Sequence, residues 1–327
     1  MTGKIIKGIG GFYYIHAEDD RVYSSRAVGI FRKLGIKPLV GDNVEFEVLD
    51  AEKKEGSLTK IYERKNVLIR PAVANIDRAM VVFAVREPDL NSNLLDRFLI
   101  YMEQQDIPVT VFLNKADLDR DGLMERYRTA YENAGCRVIC GTVAETSGGS
   151  VSGEDGPCDD NKTAGGATAG EAGVAAGHGT AIELIKAEMK GRTTVLAGPS
   201  GVGKSSLTNK LNNGVCMEVG ELSEKIKRGK QTTRHTELFT IDPESYVLDT
   251  PGFTSLYVSG VKAVELEYYY AEFRPYINNC KFTGCSHIYE AEDICAVKRG
   301  VSGGSISRMR YENYCQIYEE LKSKEYR

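Results

Sequence analysis

A glycine-rich segment, residues 198–206, has the residue types and spacing of a loop that binds phosphate groups. It follows a short apolar run at 193–197, and a lysine and two serines close it. In such loops the glycines let backbone N–H groups point at the phosphates, the lysine reaches the terminal phosphates, and the next hydroxyl ligates Mg²⁺. A helix that begins near Ser205 would add its positive dipole end. The pattern predicts a nucleotide site that contains Gly198, Pro199, Ser200, Gly201, Val202, Gly203, Lys204, Ser205 and Ser206.

A second motif, Asn114, Lys115, Ala116 and Asp117, follows the apolar run 109–113 and predicts which base is bound. A carboxylate accepts hydrogen bonds from the ring N–H and the amine of guanine, whereas adenine presents a lone pair there and has no such amine. Taken alone, Asp117 could equally cap a helix. Together with the phosphate loop, the motif predicts that the nucleotide is GTP or GDP.

A third motif, Asp249 to Gly252, follows the apolar run 246–248. Asp249 is expected to hold Mg²⁺, through water, together with Ser205, and the Gly252 N–H is expected to meet the γ-phosphate. Thr232 and Thr233 lie between the phosphate loop and this motif, where a switch threonine should sense the γ-phosphate. The sequence does not choose between these two threonines.

Three cysteines and one histidine lie within sixteen residues near the C-terminus: Cys280, Cys285, His287 and Cys295. Three thiolates and an imidazole complete a tetrahedral zinc site, which leaves no open position for catalysis. We therefore expect one structural Zn²⁺, which a small domain with a thin core needs. Unrelated buried cysteines are the alternative. The other thiols are expected to be single and to have no metal: Cys136, Cys140, Cys158, Cys216 and Cys315.

The elements that must position these motifs fall into three predicted domains. Glycine-punctuated runs at 4–9, 11–16, 21–24, 44–49 and 58–62 predict a five-stranded OB-type barrel over residues 1–65. Alternating strands and helices over 66–256 predict an α/β P-loop GTPase domain with a parallel sheet. Residues 257–327 are expected to form a small helical zinc-binding domain. The tract 143–179 is dense in Gly, Ala, Ser and Thr, so we predict a disordered insertion there.

The order of the motifs is unusual. In ordinary GTPases the phosphate loop comes first and the guanine motif last, whereas here Asp117 precedes Lys204. The GTPase domain is therefore predicted to be circularly permuted, and the insertion lies where the old ends are joined. The segment after Gly252 runs directly into the last domain, so hydrolysis is expected to reposition that domain.

Composition narrows the class of protein. No stretch approaches the ~20 apolar residues of a membrane-spanning helix, and the N-terminus lacks a signal-peptide core. The chain of 327 residues, with a net charge of −4, is expected to be soluble, monomeric and cytoplasmic. Its first 70 residues carry 13 Lys or Arg against 10 Asp or Glu. A solvated loop and an RNA-facing patch explain this local excess equally well.

The chain resembles the ribosome biogenesis GTPase A family, the circularly permuted GTPases of small-subunit assembly. The resemblance covers nearly the whole chain and is carried by Gly41 and Asp42, by segments 70–77, 95–99 and 249–253, by the phosphate loop and by the four metal ligands. It implies GTP hydrolysis stimulated by the 30S ribosomal subunit. It also implies that the barrel and the zinc domain touch 16S rRNA late in maturation.

Three features depart from that family. Gln231 stands where family members carry a histidine that is the candidate for positioning the attacking water; Gln orients water in other GTPases. Phe253, as in the family, cannot orient water, which implies help from the partner. Gly141 and Thr142 stand where a Ser-Ala turn contacts guanine, and the long insertion is not a family feature.

Two other functions remain open from the sequence. A GTP-dependent RNA-binding checkpoint protein that hydrolyses slowly is compatible with Gln231. A small-molecule kinase is disfavoured by Asp117. The predicted catalytic residues are Gln231, Thr232 and Thr233. The sequence does not say which residue positions the attacking water: Gln231 is the first candidate, and His235 is a nearby but less favoured substitute.

Overall fold

A computed structural model describes residues 1–29, 31, 35–68, 71–143, 180–212, 236–249 and 258–325, and of Asp249 it describes the backbone. Within these ranges, no helix is both long enough and apolar enough to cross a membrane. The predicted residues Gln231, Thr232, Thr233 and Gly252 lie outside them. So do almost all of the predicted insertion and the segment that joins Gly252 to the last domain.

The N-terminal region is the expected five-stranded closed barrel, in the order β1-β2-β3-β5-β4. Its buried side chains, among them Ile5, Ile15 and Phe46, alternate with exposed ones because successive residues of a strand face opposite sides. The barrel closes with a parallel pairing of β3 and β5, and all its other neighbouring strands are antiparallel. The strands are β1 (Thr2–Ile9), β2 (Phe12–Ala17), β3 (Val22–Ala27), β4 (Asn43–Asp50) and β5 (Glu55–Ile61).

Two short strands, β6 (Val67–Leu68) and β7 (Val73–Ala74), lead from the barrel into the next domain. Gly41, at the edge of the barrel, has φ +88°, and a Cβ there would lie 2.0 Å from the carbonyl oxygen of Ala74. Asp42 is fully buried and accepts from Nε of Arg64 at 2.6 Å. These contacts explain why a Gly-Asp pair stands at this junction.

The central domain is a six-stranded sheet in the order β10-β9-β8-β11-β13-β12. All neighbours are parallel except β12 and β13. Its inner strands are almost continuously apolar because helices cover both faces. The strands are β8 (Arg78–Ala84), β9 (Val109–Asn114), β10 (Arg137–Cys140), β11 (Thr193–Ala197), β12 (Leu238–Asp242) and β13 (Ser245–Asp249). The described helices are α1 (Ser92–Glu103), α2 (Leu123–Asn133), α3 (Ala181–Met189) and α4 (Lys204–Asn212).

One boundary of the predicted insertion is wrong. Val143 is 1% exposed, packs in the core between the sheet and α3, and donates its N–H to Oδ1 of Asn114 at 3.0 Å. A single valine at the start of a polar tract carries no periodic signal, so sequence reasoning assigned it to the tract. Residues 144–179 lie outside the described ranges, and the proposed domain boundaries at 65 and 256 stay predictions.

The C-terminal region is helical, as expected. It contains 3₁₀ turns at Ala263–Tyr269 and Ala271–Phe273, and the helices α5 (Arg274–Ile277), α6 (Ala296–Ser302) and α7 (Arg308–Glu325). Tyr314, Tyr318 and Leu321 of α7 are buried, at the three- and four-residue spacing of one helix face.

A buried charge cluster joins this region to α1 of the central domain. The guanidinium of Arg310 is 2% exposed, donates to both carboxylate oxygens of Glu272 at 2.6 and 3.0 Å, and donates to Asp96 at 2.5 Å. Burial alone would lower the pKa of Arg310, but these two carboxylates raise it well above its usual value. Arg310 therefore stays charged at the centre of the contact.

Candidate nucleotide site and metal centre

The predicted phosphate loop connects the end of β11 to the start of α4, in the middle of the sheet. Two of its glycines are required by close contacts. A Cβ on Gly198, whose φ is +141°, would lie 2.1 Å from the carbonyl oxygen of Val82. A Cβ on Gly203, whose φ is +98°, would lie 2.3 Å from Nδ2 of Asn114. Only glycine fits at these positions, so the loop can bend tightly and turn its amides inward.

Lys204 lies across this loop. Its side chain is mostly buried, and its ammonium donates to the carbonyl oxygens of Gly198 at 2.9 Å and Pro199 at 2.6 Å. Ser205 and Ser206 follow at the exposed N-terminus of α4. The lysine charge, the helix end and two exposed serines thus meet at one place, which suits a phosphate group and a hydrated Mg²⁺.

Asn114 ties the guanine motif to the phosphate loop. It ends β9, and its side chain is 2% exposed. Its Nδ2 donates to the carbonyl oxygen of Val202 at 2.7 Å. Because the carboxyl ends of the parallel strands share one edge of the sheet, residues 88 apart in sequence meet there.

Asp117 stands exposed at the rim of the site, in the 3₁₀ turn Ala116–Leu118. Lys115, which precedes this turn, has φ +62°, and its ammonium donates to the carbonyl oxygen of Glu87 in the loop beside the phosphate loop. This loop also brings Pro88 close to Gly201. Asn114 therefore contacts the phosphate loop directly and Lys115 contacts the neighbouring loop, whereas the role of Asp117 in base recognition stays a prediction.

Thr142 is a site residue that sequence reasoning recorded only as a departure. Its hydroxyl donates to Oδ1 of Asp117 at 2.7 Å and accepts from the Asp117 N–H at 3.2 Å. This pair of bonds fixes the carboxylate that is expected to read guanine. In the sequence, Thr142 is only a hydroxyl residue just after strand β10. It becomes informative once the fold places β10 beside β9, which is the strand that precedes Asp117.

The third motif is only partly described. Asp249 ends β13, and its backbone pairs with Leu196 of β11, one residue before the strand that carries the phosphate loop ends. Its backbone thus reaches the same sheet edge. The side chain of Asp249, like Gln231, Thr232, Thr233 and Gly252, is not described, so the magnesium and catalytic assignments stay predictions.

The four predicted metal ligands do converge. One ligand atom from each of Cys280, Cys285, His287 and Cys295 lies within 4.8 Å of all the others. Nδ1 of His287 is 3.6 Å from Sγ of Cys280 and 3.4 Å from Sγ of Cys295. Ligands held at about 2.0–2.3 Å from one tetrahedral zinc ion stand about 3.5–3.8 Å apart. The residues present therefore fit a single zinc ion.

The surroundings of this cluster also suit a cation. Nε2 of His287 lies 2.6 Å from a carboxylate oxygen of Glu267, which leaves Nδ1 to face the three sulfurs. The N–H groups of Ala296 and Lys298 donate to two of the sulfurs. Burial raises the pKa of Cys285 and Cys295, so their thiolates need a positive ion nearby.

Three of the remaining cysteines lie within the described residues. Cys136, Cys140 and Cys315 are free and half-buried. Burial raises the pKa of Cys136 and of Cys140 to about 11, so both are protonated and unreactive at neutral pH. Cys158 and Cys216 lie outside the described residues.

Comparison with known proteins assigns this arrangement to a family. A model of the RsgA GTPase matches residues 61–150 and 167–259, and a model of the RsgA N-terminal domain matches residues 2–57. A protein of Agathobacter rectalis named small ribosomal subunit biogenesis GTPase RsgA is 46% identical over 99% of both chains. A protein of the same name from Alkaliphilus metalliredigens is 40% identical over 98% of this chain and 97% of its own.

Two solved structures share the fold. YloQ, described as a circularly permuted GTPase, aligns with a TM-score of 0.71 at 34% identity over 99% of this chain and 95% of its own. YjeQ from Thermotoga maritima aligns with a TM-score of 0.73 at 28% identity over 98% of each chain. The permuted motif order of this chain agrees with the description of YloQ as a circularly permuted GTPase.

Proposed function

Because the chain belongs to the family of RsgA GTPases, it is a GTP hydrolase, and we propose that it acts late in the maturation of the 30S ribosomal subunit. We further propose that the 30S subunit stimulates hydrolysis and that hydrolysis releases the protein from 16S rRNA. The role in small-subunit maturation is supported by the relatives named small ribosomal subunit biogenesis GTPase RsgA. The nucleotide site is supported by the hydrogen bond from Asn114 to Val202, which joins the guanine motif to the phosphate loop at one edge of the sheet.

The proposed roles come from the sequence motifs and, for the described side chains, are supported by where these side chains lie. Asp117, held by Thr142, accepts the guanine N–H groups, so that adenine would leave this carboxylate unpaired. Lys204 neutralises the terminal phosphates, and Ser205 and Asp249 are the residues that would hold Mg²⁺. That ion, when bound, offsets the charge that develops on the phosphates during transfer. Gln231 is our candidate for orienting the attacking water.

The other two regions supply binding surfaces in this proposal. The barrel and the zinc domain contact 16S rRNA, and the zinc ion is structural because its four protein ligands fill a tetrahedron. We propose that the protein works as a monomer in the cytoplasm, where small subunits are assembled. GTP and GDP are its small-molecule partners.

Steady-state GTP hydrolysis with and without purified 30S subunits tests the proposal, with 50S subunits and ATP as controls. We expect a large rate increase that is specific to 30S subunits and to GTP. Tight GTP binding without any stimulation would instead favour a slowly hydrolysing checkpoint protein, and Gln231→His would then show whether the missing histidine is the cause. ATP competing equally with GTP would contradict the role of Asp117.

A further inference from the structure

The turn that carries Asp117 is held at both of its ends by one loop of the central domain. This loop, residues 85–91, joins the end of β8 to the start of α1, and we call it the β8–α1 loop. It runs beside the end of β9, because the N–H of Val85 donates to the carbonyl oxygen of Asn114 at 3.1 Å. Since β8 and β9 are parallel neighbours, the segments that follow them leave the sheet at the same edge.

The first anchor precedes the turn. The ammonium of Lys115 donates to the carbonyl oxygen of Glu87, in the middle of the β8–α1 loop. Both residues have a left-handed backbone, with φ +62° at Lys115 and φ +54° at Glu87. Such a backbone is unfavourable for a residue with a side chain and persists only where the surrounding contacts impose it. The hydrogen bond therefore ties the start of the turn to a defined point of the loop.

The second anchor follows the turn. Nη2 of Arg86 donates to Oδ2 of Asp121 at 2.8 Å, four residues after Asp117. Nη1 of Arg86 also lies 3.3 Å from Oδ1 of Asp89, within its own loop. The side chain of Arg86 is 35% exposed, whereas those of Asp89 and Asp121 are 78% and 65% exposed. Arg86 thus connects the β8–α1 loop to the far side of the turn.

Asp117 lies between these two anchors. Its 3₁₀ turn, Ala116–Leu118, begins directly after Lys115. The β8–α1 loop also borders the phosphate loop, because Cδ of Pro88 lies 3.7 Å from the point where a Cβ on Gly201 would stand. One loop therefore contacts both the segment expected to read the base and the loop expected to bind the phosphates.

We propose that Arg86 is a positioning residue for guanine recognition: its ion pair with Asp121 holds the turn of Asp117 at a fixed place beside the phosphate loop. The inference rests on the proposed function, because it takes Asp117 as the residue that reads the base. Arg86 does not touch the nucleotide in this proposal. The base is bound alike in the ground state and the transition state, so the loss of Arg86 weakens binding and leaves the chemical step unchanged.

A double-mutant cycle tests this role in the full chain. GDP affinity, measured with a fluorescent GDP analogue, and the single-turnover rate at saturating GTP are compared for wild type, Arg86→Ala, Asp121→Ala and the double variant. Asp89→Ala is the matched control, because Asp89 is the other carboxylate partner of Arg86 but lies within the same loop. A thermal melt reports on folding.

We expect Arg86→Ala and Asp121→Ala each to weaken GDP affinity about threefold at low ionic strength, because exposed ion pairs contribute at this level. The double variant should lose no more than either single variant, since all three break the same contact. The difference from wild type should largely disappear in about 1 M salt, where charges are screened within about 3 Å. Asp89→Ala should bind GDP as wild type does, and the rate at saturating GTP should stay the same in every variant.

Three results overturn the inference: unchanged GDP affinity in Asp121→Ala, an equal loss of affinity in Asp89→Ala, or additive losses in the double variant. A slower rate at saturating GTP with unchanged affinity overturns it as well. Asp121→Ala breaks the contact from the other side, so its affinity decides the matter if Arg86→Ala does not fold.

The positioning role and the proposed base recognition fail in different ways. Asp117→Ala, titrated with GDP and ADP, tests the base recognition itself, and a preference for GDP that survives in this variant contradicts it. A preference that is lost in Asp117→Ala, together with Arg86→Ala and Asp121→Ala variants that bind GDP as wild type does, contradicts the positioning role alone.

Discussion

The nucleotide site and the metal centre are built in opposite ways. The nucleotide site takes its residues from strand ends that are far apart in sequence, such as Asn114 and Val202, and it exists only when the sheet has formed. The metal centre takes all four ligands from residues 280–295, and these ligand atoms lie together within one short stretch of chain. The contrast teaches that the first site depends on the stability of a whole domain, whereas an ion bound at the second would itself stabilise the small domain around it.

Arg310 complicates this separation, because it joins the two regions. Its cluster with Asp96 and Glu272 ties α7 of the metal domain to α1, whose preceding loop borders the phosphate loop. The ligands of the metal domain thus come from one short segment, but the position of the domain against the central domain depends on the Arg310 cluster. The following predictions test how far the contrast holds, starting with the largest expected effect.

Removing the metal should unfold the C-terminal domain while the central domain stays folded. Structural zinc sites contribute on the order of 10 kcal/mol of folding free energy. Two of the four ligands, Cys285 and Cys295, lie within the hydrophobic core of this domain, so loss of the ion should open that core. A chelator titration followed by tyrosine fluorescence and limited proteolysis should show loss of residues 258–325 together with intact GDP binding. A melting curve that chelator does not change, with no zinc in the purified protein, would contradict the assignment.

Arg310→Ala should destabilise the contact between the two regions by about 3–5 kcal/mol, because it leaves two buried carboxylates without their cation. Arg274→Ala is the matched control. Arg274 pairs with Glu103 across the same contact, but both side chains are 53% exposed, so its loss should cost less than about 1 kcal/mol. Denaturant unfolding of both variants measures the difference, and equal effects would show that the buried cluster does not dominate the contact.

Lys204→Ala should weaken GTP and GDP binding by at least about a hundredfold and leave the melting temperature of the free protein nearly unchanged. A buried charge that meets phosphate contributes about 2–5 kcal/mol to binding. Lys190→Ala, which removes an exposed lysine after α3, should bind as wild type does. Titration with a fluorescent nucleotide compares the two variants. Undiminished affinity in Lys204→Ala would show that the nucleotide phosphates do not bind at this loop.

Thr142→Val should have the smallest effect, a loss of about fivefold to tenfold in GDP affinity, because one hydrogen bond that orients Asp117 is worth about 1 kcal/mol. Thr142→Ser keeps the hydroxyl and should bind normally. The same titration, repeated with an adenine nucleotide, shows whether discrimination falls with affinity. Equal binding by the Val and Ser variants would mean that Asp117 needs no such support.

Much of the fold was predictable because the patterns are local. The five barrel strands and the apolar strands of the sheet lie where alternation and continuous apolar runs placed them, with shifts of up to three residues at their ends. Val143 was misplaced because one buried residue at the edge of a polar tract has no period to reveal it. The junction at Gly41 was visible as a motif, but its cause, the close approach of Ala74, was not.

The sequence by itself determined the phosphate loop, the guanine motif, the metal ligands and their permuted order, because each of these is a short run whose chemistry requires particular residue types at fixed spacing. Only the tertiary structure decided the partners of these runs. Thr142 holds Asp117 across 25 residues, Lys7 holds Glu237 across 230, and Arg310 meets Asp96 across 214. Contacts at such separations depend on how strands and helices pack, and no local pattern of residues records that packing.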